Sequence, residues 1–77
     1  MKIDDISRIV RFHRKKAGLS QSELSRFAGV GKSAVFNLEK GKETIQLDTL
    51  YKILTVLNIT VELQSSLMDE YNRHPDS

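Results

Sequence analysis

The sequence predicts a small all-α domain of four helices closed by a single C-terminal strand. Three observations predict it. Gly18, Gly29, Gly41 and Asn58 each stand just past a stretch of helical apolar spacing, where a left-handed residue ends a helix. Leu47, Leu50, Leu54 and Leu57 fall on one helical face. Beyond them the period changes to two: Ile59, Val61 and Leu63 alternate with Thr60, Glu62 and Gln64.

Taken in order, Asp4 or Asp5 caps a first helix that runs to about Ala17. Ile6, Val10 and Ala17 form its apolar stripe, Ile9 lies beside them, and His13 falls on the same stripe as a packing residue. A second helix covers about 21–28. Ser20 and Glu23 have the Ser-x-x-Glu spacing of a capping box, and Leu19 and Leu24 the spacing of a hydrophobic staple. A third helix covers about 32–40, turns Val35 and Leu38 inward and stops at Gly41. Two short helices joined by a three- to four-residue turn containing glycine match the helix-turn-helix, whose second helix enters the DNA major groove. Residues 41–46 form a loop, and the fourth helix runs from about Leu47 to Leu57 with Ile53 flanking its leucines.

The alternation over 59–64 predicts a half-buried strand, and the chain offers no convincing second one. A lone strand leaves its backbone groups without a ladder. Pairing with the same strand of a second copy across a two-fold axis supplies one; the alternative is an extended tail packed on its own domain. Residues 65–77 are polar, hold the single proline and predict a flexible tail. The organisation is thus a DNA-binding domain over 1–58, a dimerisation strand over 59–64 carrying Ile59, Val61 and Leu63, and the tail.

Seventy-seven residues make one domain. A chain of this size buries only about 60% of its unfolded surface, which also favours a dimer. The absence of cysteine excludes a disulfide framework and a thiolate metal site. Two distant histidines, His13 and His74, do not make a zinc site, so no metal or cofactor is expected. No apolar run approaches the roughly 18 residues of a membrane span, and the first residues hold no apolar signal core. The expected setting is cytoplasmic. Ser20, Ser22, Ser25 and Ser33 have no base or oxyanion apparatus beside them, so no enzyme is expected. Charge divides unevenly: residues 1–42 hold ten Lys/Arg against four acids and residues 43–77 two against six, splitting the net +2 into +6 and −4. The basic half contains the helix-turn-helix, which suits a polyanion.

The motifs Gly18-Leu19-Ser20-Gln21, Glu23-Leu24, Ala28-Gly29-Val30, Val35, Glu39-x-Gly41 and Leu47-Asp48-Thr49-Leu50 resemble, in order and spacing, the Xre/Cro family of bacterial and phage repressors. The resemblance covers roughly residues 6–58 and implies a lambda-repressor-like domain. Tyr51-Lys52-Ile53-Leu54 followed by Ile59-Thr60-Val61-Glu62-Leu63 is similar to the HipB antitoxins, in which a C-terminal strand pairs between subunits. The sequence departs from the pattern at Ser25, where a small apolar residue, usually alanine, packs between the helices; its hydroxyl is expected to bond back to a helix carbonyl. It departs again at Gly31, which replaces the usual serine or threonine cap of the third helix, at His13, where leucine is usual, and at the missing proline before the fourth helix.

Lys32, Ser33, Phe36 and Asn37 face away from Val35 and Leu38 and are the candidate base readers. Lys32 can donate to guanine O6 or N7, Asn37 can make two bonds to adenine, Ser33 can serve either, and Phe36 can cover a thymine methyl or sit half-buried. Ser20, Gln21, Arg14, Lys40 and Lys42 are the candidate phosphate contacts. For Gln21 the resemblance implies a place at the start of helix two facing a phosphate. It also implies that Arg14 pairs with Glu39 beneath the DNA-facing surface. The expected function is sequence-specific repression by a homodimer on a palindromic DNA operator, as the antitoxin of a HipA-type kinase toxin; the alternative is a stand-alone Xre-family regulator.

Overall fold

Each change of direction in this chain is set by a helix stop. The computed structural model describes residues 2–75. Five helices follow one another: α1 (Ile3–Lys16), α2 (Gln21–Ala28), α3 (Ala34–Glu39), α4 (Leu47–Val56) and α5 (Met68–Arg73). The first four end alike. Gly18, Gly29, Gly41 and Asn58 take φ of 73°, 68°, 89° and 56° and return their N–H groups to the carbonyls three residues back. The residues after them, Leu19, Val30, Lys42 and Ile59, return theirs to the carbonyls five back, which completes a Schellman motif each time. Leu19, Val30 and Ile59 then pack on the core, so each motif satisfies orphan carbonyls and also aims the next apolar residue inward.

The turn at Gly41 has a second reason to be glycine. A Cβ there would meet Asp4 Oδ1 at 3.1 Å, on top of the left-handed backbone. The end of α3 therefore sits against the start of α1. Ser7 fastens the same junction: its buried hydroxyl lies 2.6 Å from the Leu38 carbonyl and 2.9 Å from the Ile3 carbonyl.

Val10, Leu24, Val35, Leu38, Ile53 and Leu54 form the core. It is wholly aliphatic. All five aromatic side chains, Phe12, Phe27, Phe36, Tyr51 and Tyr71, lie exposed. Helix α2 packs on α3 and α4, and α1 packs on α3. Among the described residues no helix is long and apolar enough to cross a membrane.

Four expectations need correction. The cap of α1 is Lys2, not Asp4 or Asp5; Asp5 sits three positions in and its carboxylate accepts the Lys2 N–H at 3.2 Å, the reciprocal half of a capping box. Helix α3 begins at Ala34 rather than near Lys32, because Gly31–Ser33 close a turn in which Ala34 N–H donates to Gly31 O. Among the described residues the helices number five, not four: α5 lies in the segment expected as a tail, where Ser65 accepts from Leu67 N–H through its hydroxyl and from Met68 N–H through its carbonyl, and Asp69, Glu70 and Arg73 lie at the ends that the helix dipole favours.

Residues 59–64, expected as a strand, belong to no strand among the described residues. A strand is a paired element, and the single chain offers this segment no neighbour to pair with. Ile59 is half-buried against the core, whereas Val61 is 40% and Leu63 78% exposed.

Candidate nucleic-acid interface

The interface is built where α2 and α3 meet. The α2 cap forms with both halves in place: Glu23 N–H donates to Ser20 Oγ at 3.0 Å, and Ser20 N–H donates to Glu23 Oε1 at 2.9 Å. The Ser20 N–H, and after it the Ser20 hydroxyl, hold the Glu23 carboxyl below the usual carboxylate range.

The α3 start is capped from outside. Ser33, the local cap residue, makes no side-chain capping bond. Instead Val35 N–H donates to Ser25 Oγ at 3.3 Å, across the turn from α2. Ser25 therefore accepts a helix N–H; the expectation that its hydroxyl bonds back to a helix carbonyl gives way to this contact. Gly31 has no side chain for the job, and a buried hydroxyl ten residues from the N–H it caps supplies the acceptor.

Arg14 and Glu39 face each other across α1 and α3. Arg14 Nε lies 2.6 Å from Glu39 Oε2, and its Nη2 lies 2.9 Å from Glu39 Oε1, a two-bond contact between side chains almost wholly withdrawn from solvent. Arg14 Nη1 donates to Leu19 O at 2.8 Å, so the same guanidinium also holds the α1–α2 corner. Gln21 Nε2 donates to Glu39 Oε1 at 3.1 Å. Burial pushes the Glu39 carboxyl up, but the hydrogen bonds from Arg14 and Gln21 and the charges of Arg14 and Arg11 outweigh it and hold the group below its ordinary value. The Glu39 hydrogen bonds raise Arg14 in turn, against the opposing effect of burial. Among the described residues every buried side-chain nitrogen and oxygen has a partner.

This geometry redistributes the candidate phosphate contacts. One N–H of the Gln21 amide is engaged with Glu39, which leaves its second amide N–H and the backbone N–H at the head of α2 as donors. Arg14 has three donors engaged and sits buried. Arg11, which sequence reasoning missed, lines an open hollow of about 390 Å³ together with Arg14, Gln21, Phe36, Glu39 and Lys40. Its position three residues before Arg14, on the adjoining stripe of α1, was the available signal.

The candidate base readers are not gathered in one place. Phe36 and Lys40 share that hollow, with the Lys40 ammonium 5.6 Å from the ring centroid. Asn37 is half-buried on the other flank of α3, beside Lys42, Thr44 and Ile45. Lys32 lies in the turn beside Ser22, Glu23, Ser25 and Arg26 of α2. Ser33 is exposed between them at the N-cap. Together these groups surround the outer face of α3. His13 Nδ1 lies 2.7 Å from Ile9 O on its own helix, edge-on to Phe12, away from this surface. Among the described residues no cluster of three or more His, Cys, Asp or Glu side chains is placed to hold a metal ion.

Residues 10–64 match the family model HTH_3, described as helix-turn-helix. An uncharacterised HTH-type transcriptional regulator of Sinorhizobium fredii is 37% identical over 59 residues, 77% of this chain and 78% of that one. Antitoxin HipB of Escherichia coli K12 is 31% identical over 72 residues, 94% of this chain and 77% of its own. The competence pilus inhibition repressor of Acinetobacter baylyi is 37% identical over 57 residues, 74% of this chain and 52% of its own. Among solved structures, a chain described as MDT Protein superposes with a TM-score of 0.76 at 24% identity, covering 86% of this chain and 93% of that one, a likeness of fold.

Proposed function

The chain belongs to the helix-turn-helix family HTH_3, and from that premise we propose that it is a sequence-specific DNA-binding repressor acting as a homodimer on a palindromic operator. The observation that carries the reading is the outer face of α3. It presents Phe36, Asn37 and Lys40 on a backbone fixed at both ends, by Ser25 at its start and by Gly41 and Ser7 at its finish. A short helix anchored in this way can hold side chains in register with base edges.

Lys32, Ser33, Phe36 and Asn37 read bases in this proposal. Ser20, the Gln21 N–H, Arg11, Lys40 and Lys42 grip phosphates, while Arg14 and Glu39 form the scaffold beneath. Each subunit reads one half-site, with half-sites about 34 Å apart. The dimer forms through residues 59–64, whose Val61 and Leu63 leave an apolar edge open for a second copy.

The match to HipB along 94% of the chain supports the fuller reading, an antitoxin that also binds a HipA-type kinase toxin. The Sinorhizobium and Acinetobacter relatives, named as a regulator and a repressor, support a stand-alone regulator equally. Capture of a kinase by the tagged protein from native extract separates the two. The DNA-binding reading is tested by unbiased selection from a pool of random duplexes. A palindromic consensus is expected; a pool that stays random would overturn it.

A further inference from the structure

An apolar groove lies between α1, α4 and the segment that leaves α4, apart from the residues proposed to touch DNA. It has a volume of about 350 Å³, and Ile6 and Ile9 of α1, Leu47, Leu50 and Tyr51 of α4 and the segment 59–63 line it. Ile9, Leu47 and Tyr51 are exposed there. The segment that follows is the one place where the chain leaves its own core. From Thr60 to Pro75 every residue but Met68 is exposed, and α5 carries no buried residue. The described structure measures 42 × 24 × 21 Å, longer in one direction than so short a chain needs.

Groove and arm match in chemistry. Seven of the ten large exposed apolar side chains belong to one or the other: Ile9, Leu47 and Tyr51 on the groove, Val61, Leu63, Leu67 and Tyr71 on the arm. Leu67 and Tyr71 are four residues apart about α5 and so share a face.

We propose that in the dimer the α5 arm of each copy crosses over and seats Leu67 and Tyr71 in the apolar groove of the other. The proposal rests on the pairing of residues 59–64 given above and adds a consequence of its symmetry. A two-fold axis makes the paired segments antiparallel. Centred on Val61, residue 63 of one copy then lies opposite Ile59 of the other, at the exit from α4. The chain beyond residue 64 leaves past that exit, turns at Ser65–Met68 and sets α5 over the partner's α1 and α4. The occupant of the groove is therefore a second copy of this chain, delivered there by the strand that precedes it.

The chain has no cysteine, so single cysteines report cleanly. Two differently tagged proteins, one carrying Leu47→Cys and the other Tyr71→Cys, are mixed and oxidised. A disulfide between the tags is expected. Sedimentation of the Leu67→Ala/Tyr71→Ala chain should show dimerisation weakened by about tenfold or more. Both residues are exposed in the monomer, so its helical circular dichroism should be unchanged. A dimer that forms no mixed disulfide, and that the double variant leaves at full affinity, overturns the crossed arm while leaving strand pairing intact. A wild-type chain that sediments as a monomer overturns both. A Leu47→Cys/Tyr71→Cys chain that closes on itself at high dilution, with no mixed product, overturns the crossing by placing the arm in its own groove.

Discussion

Ser25 accepts the Val35 N–H across the helix-turn-helix, so one side chain of α2 caps the helix that faces outward. Two departures from the expected repressor pattern, the serine at 25 and the glycine at 31, therefore bear on one helix start and read as one exchange: with no side chain at Gly31 and no capping bond from Ser33, the acceptor comes from the α2–α3 contact.

The exchange predicts a coupled pair of effects. Ser25→Ala should lower stability by about 1 kcal/mol, the ordinary worth of a lost cap. Gly31→Ser, at a position where an added Cβ meets nothing within 4 Å, should restore part of that loss and do less in the wild-type background. Urea unfolding of the four chains measures the coupling. A simple sum of the two single effects would mean that Ser25 does not stand in for a cap at 31.

Glu39→Ala should cost roughly 3 kcal/mol, far more than a surface charge, because Arg14 is left buried without its counter-ion. The same pair predicts a pH dependence. The folded-state pKa of Glu39 lies below its ordinary 4.5, so its contribution is complete above that value and is lost as pH falls through the folded pKa. The melting temperature of the wild type should therefore drop as pH is lowered from about 4.5, and that of Glu39→Gln should drop less. Asp5, lowered by its bonds with Lys2 and Arg8, and Glu23, lowered by Ser20, leave a slope in the variant. Identical profiles would remove the ion pair from the account.

Arg11→Ala should weaken binding to every duplex by the same factor and reduce the slope of log affinity against log salt by about 0.9, the signature of one phosphate lost. Its melting temperature should fall far less than that of Glu39→Ala, because Arg11 acts on Glu39 through its charge alone. An unchanged salt slope would leave Arg11 outside the contact surface.

Asn37→Ala should cost about 1–3 kcal/mol on the selected operator and little on random duplex, relaxing preference at one base position in each half-site. Fluorescence anisotropy on both duplexes distinguishes this from a general loss. Equal weakening on the two would assign Asn37 to the backbone or to packing against Thr44 and Ile45.

What the sequence made legible was local. The Ser20–Glu23 box, the left-handed stops and the leucine face of α4 each involve residues a few positions apart, where spacing alone dictates geometry. The Ser25 cap and the Gln21–Glu39 bond join residues 10 and 18 positions apart, and no local period encodes them. Residues 59–75 were only partly legible for a related reason. Alternation tells which side chains share a face but not whose backbone completes the ladder, and a polar composition hid the short helix that Ser65 starts.

A core without a single ring separates two signals that most small proteins mix. Collapse of Val10, Leu24, Val35, Leu38, Ile53 and Leu54 changes no chromophore's surroundings directly, so unfolding is best followed by the amide band. Tyr51 and Tyr71 stand instead on the groove and on the arm, and there is no tryptophan to outshine them. Under the proposed dimer their emission would report association rather than folding: the molecule carries its native optical probes on the surfaces a second copy would cover.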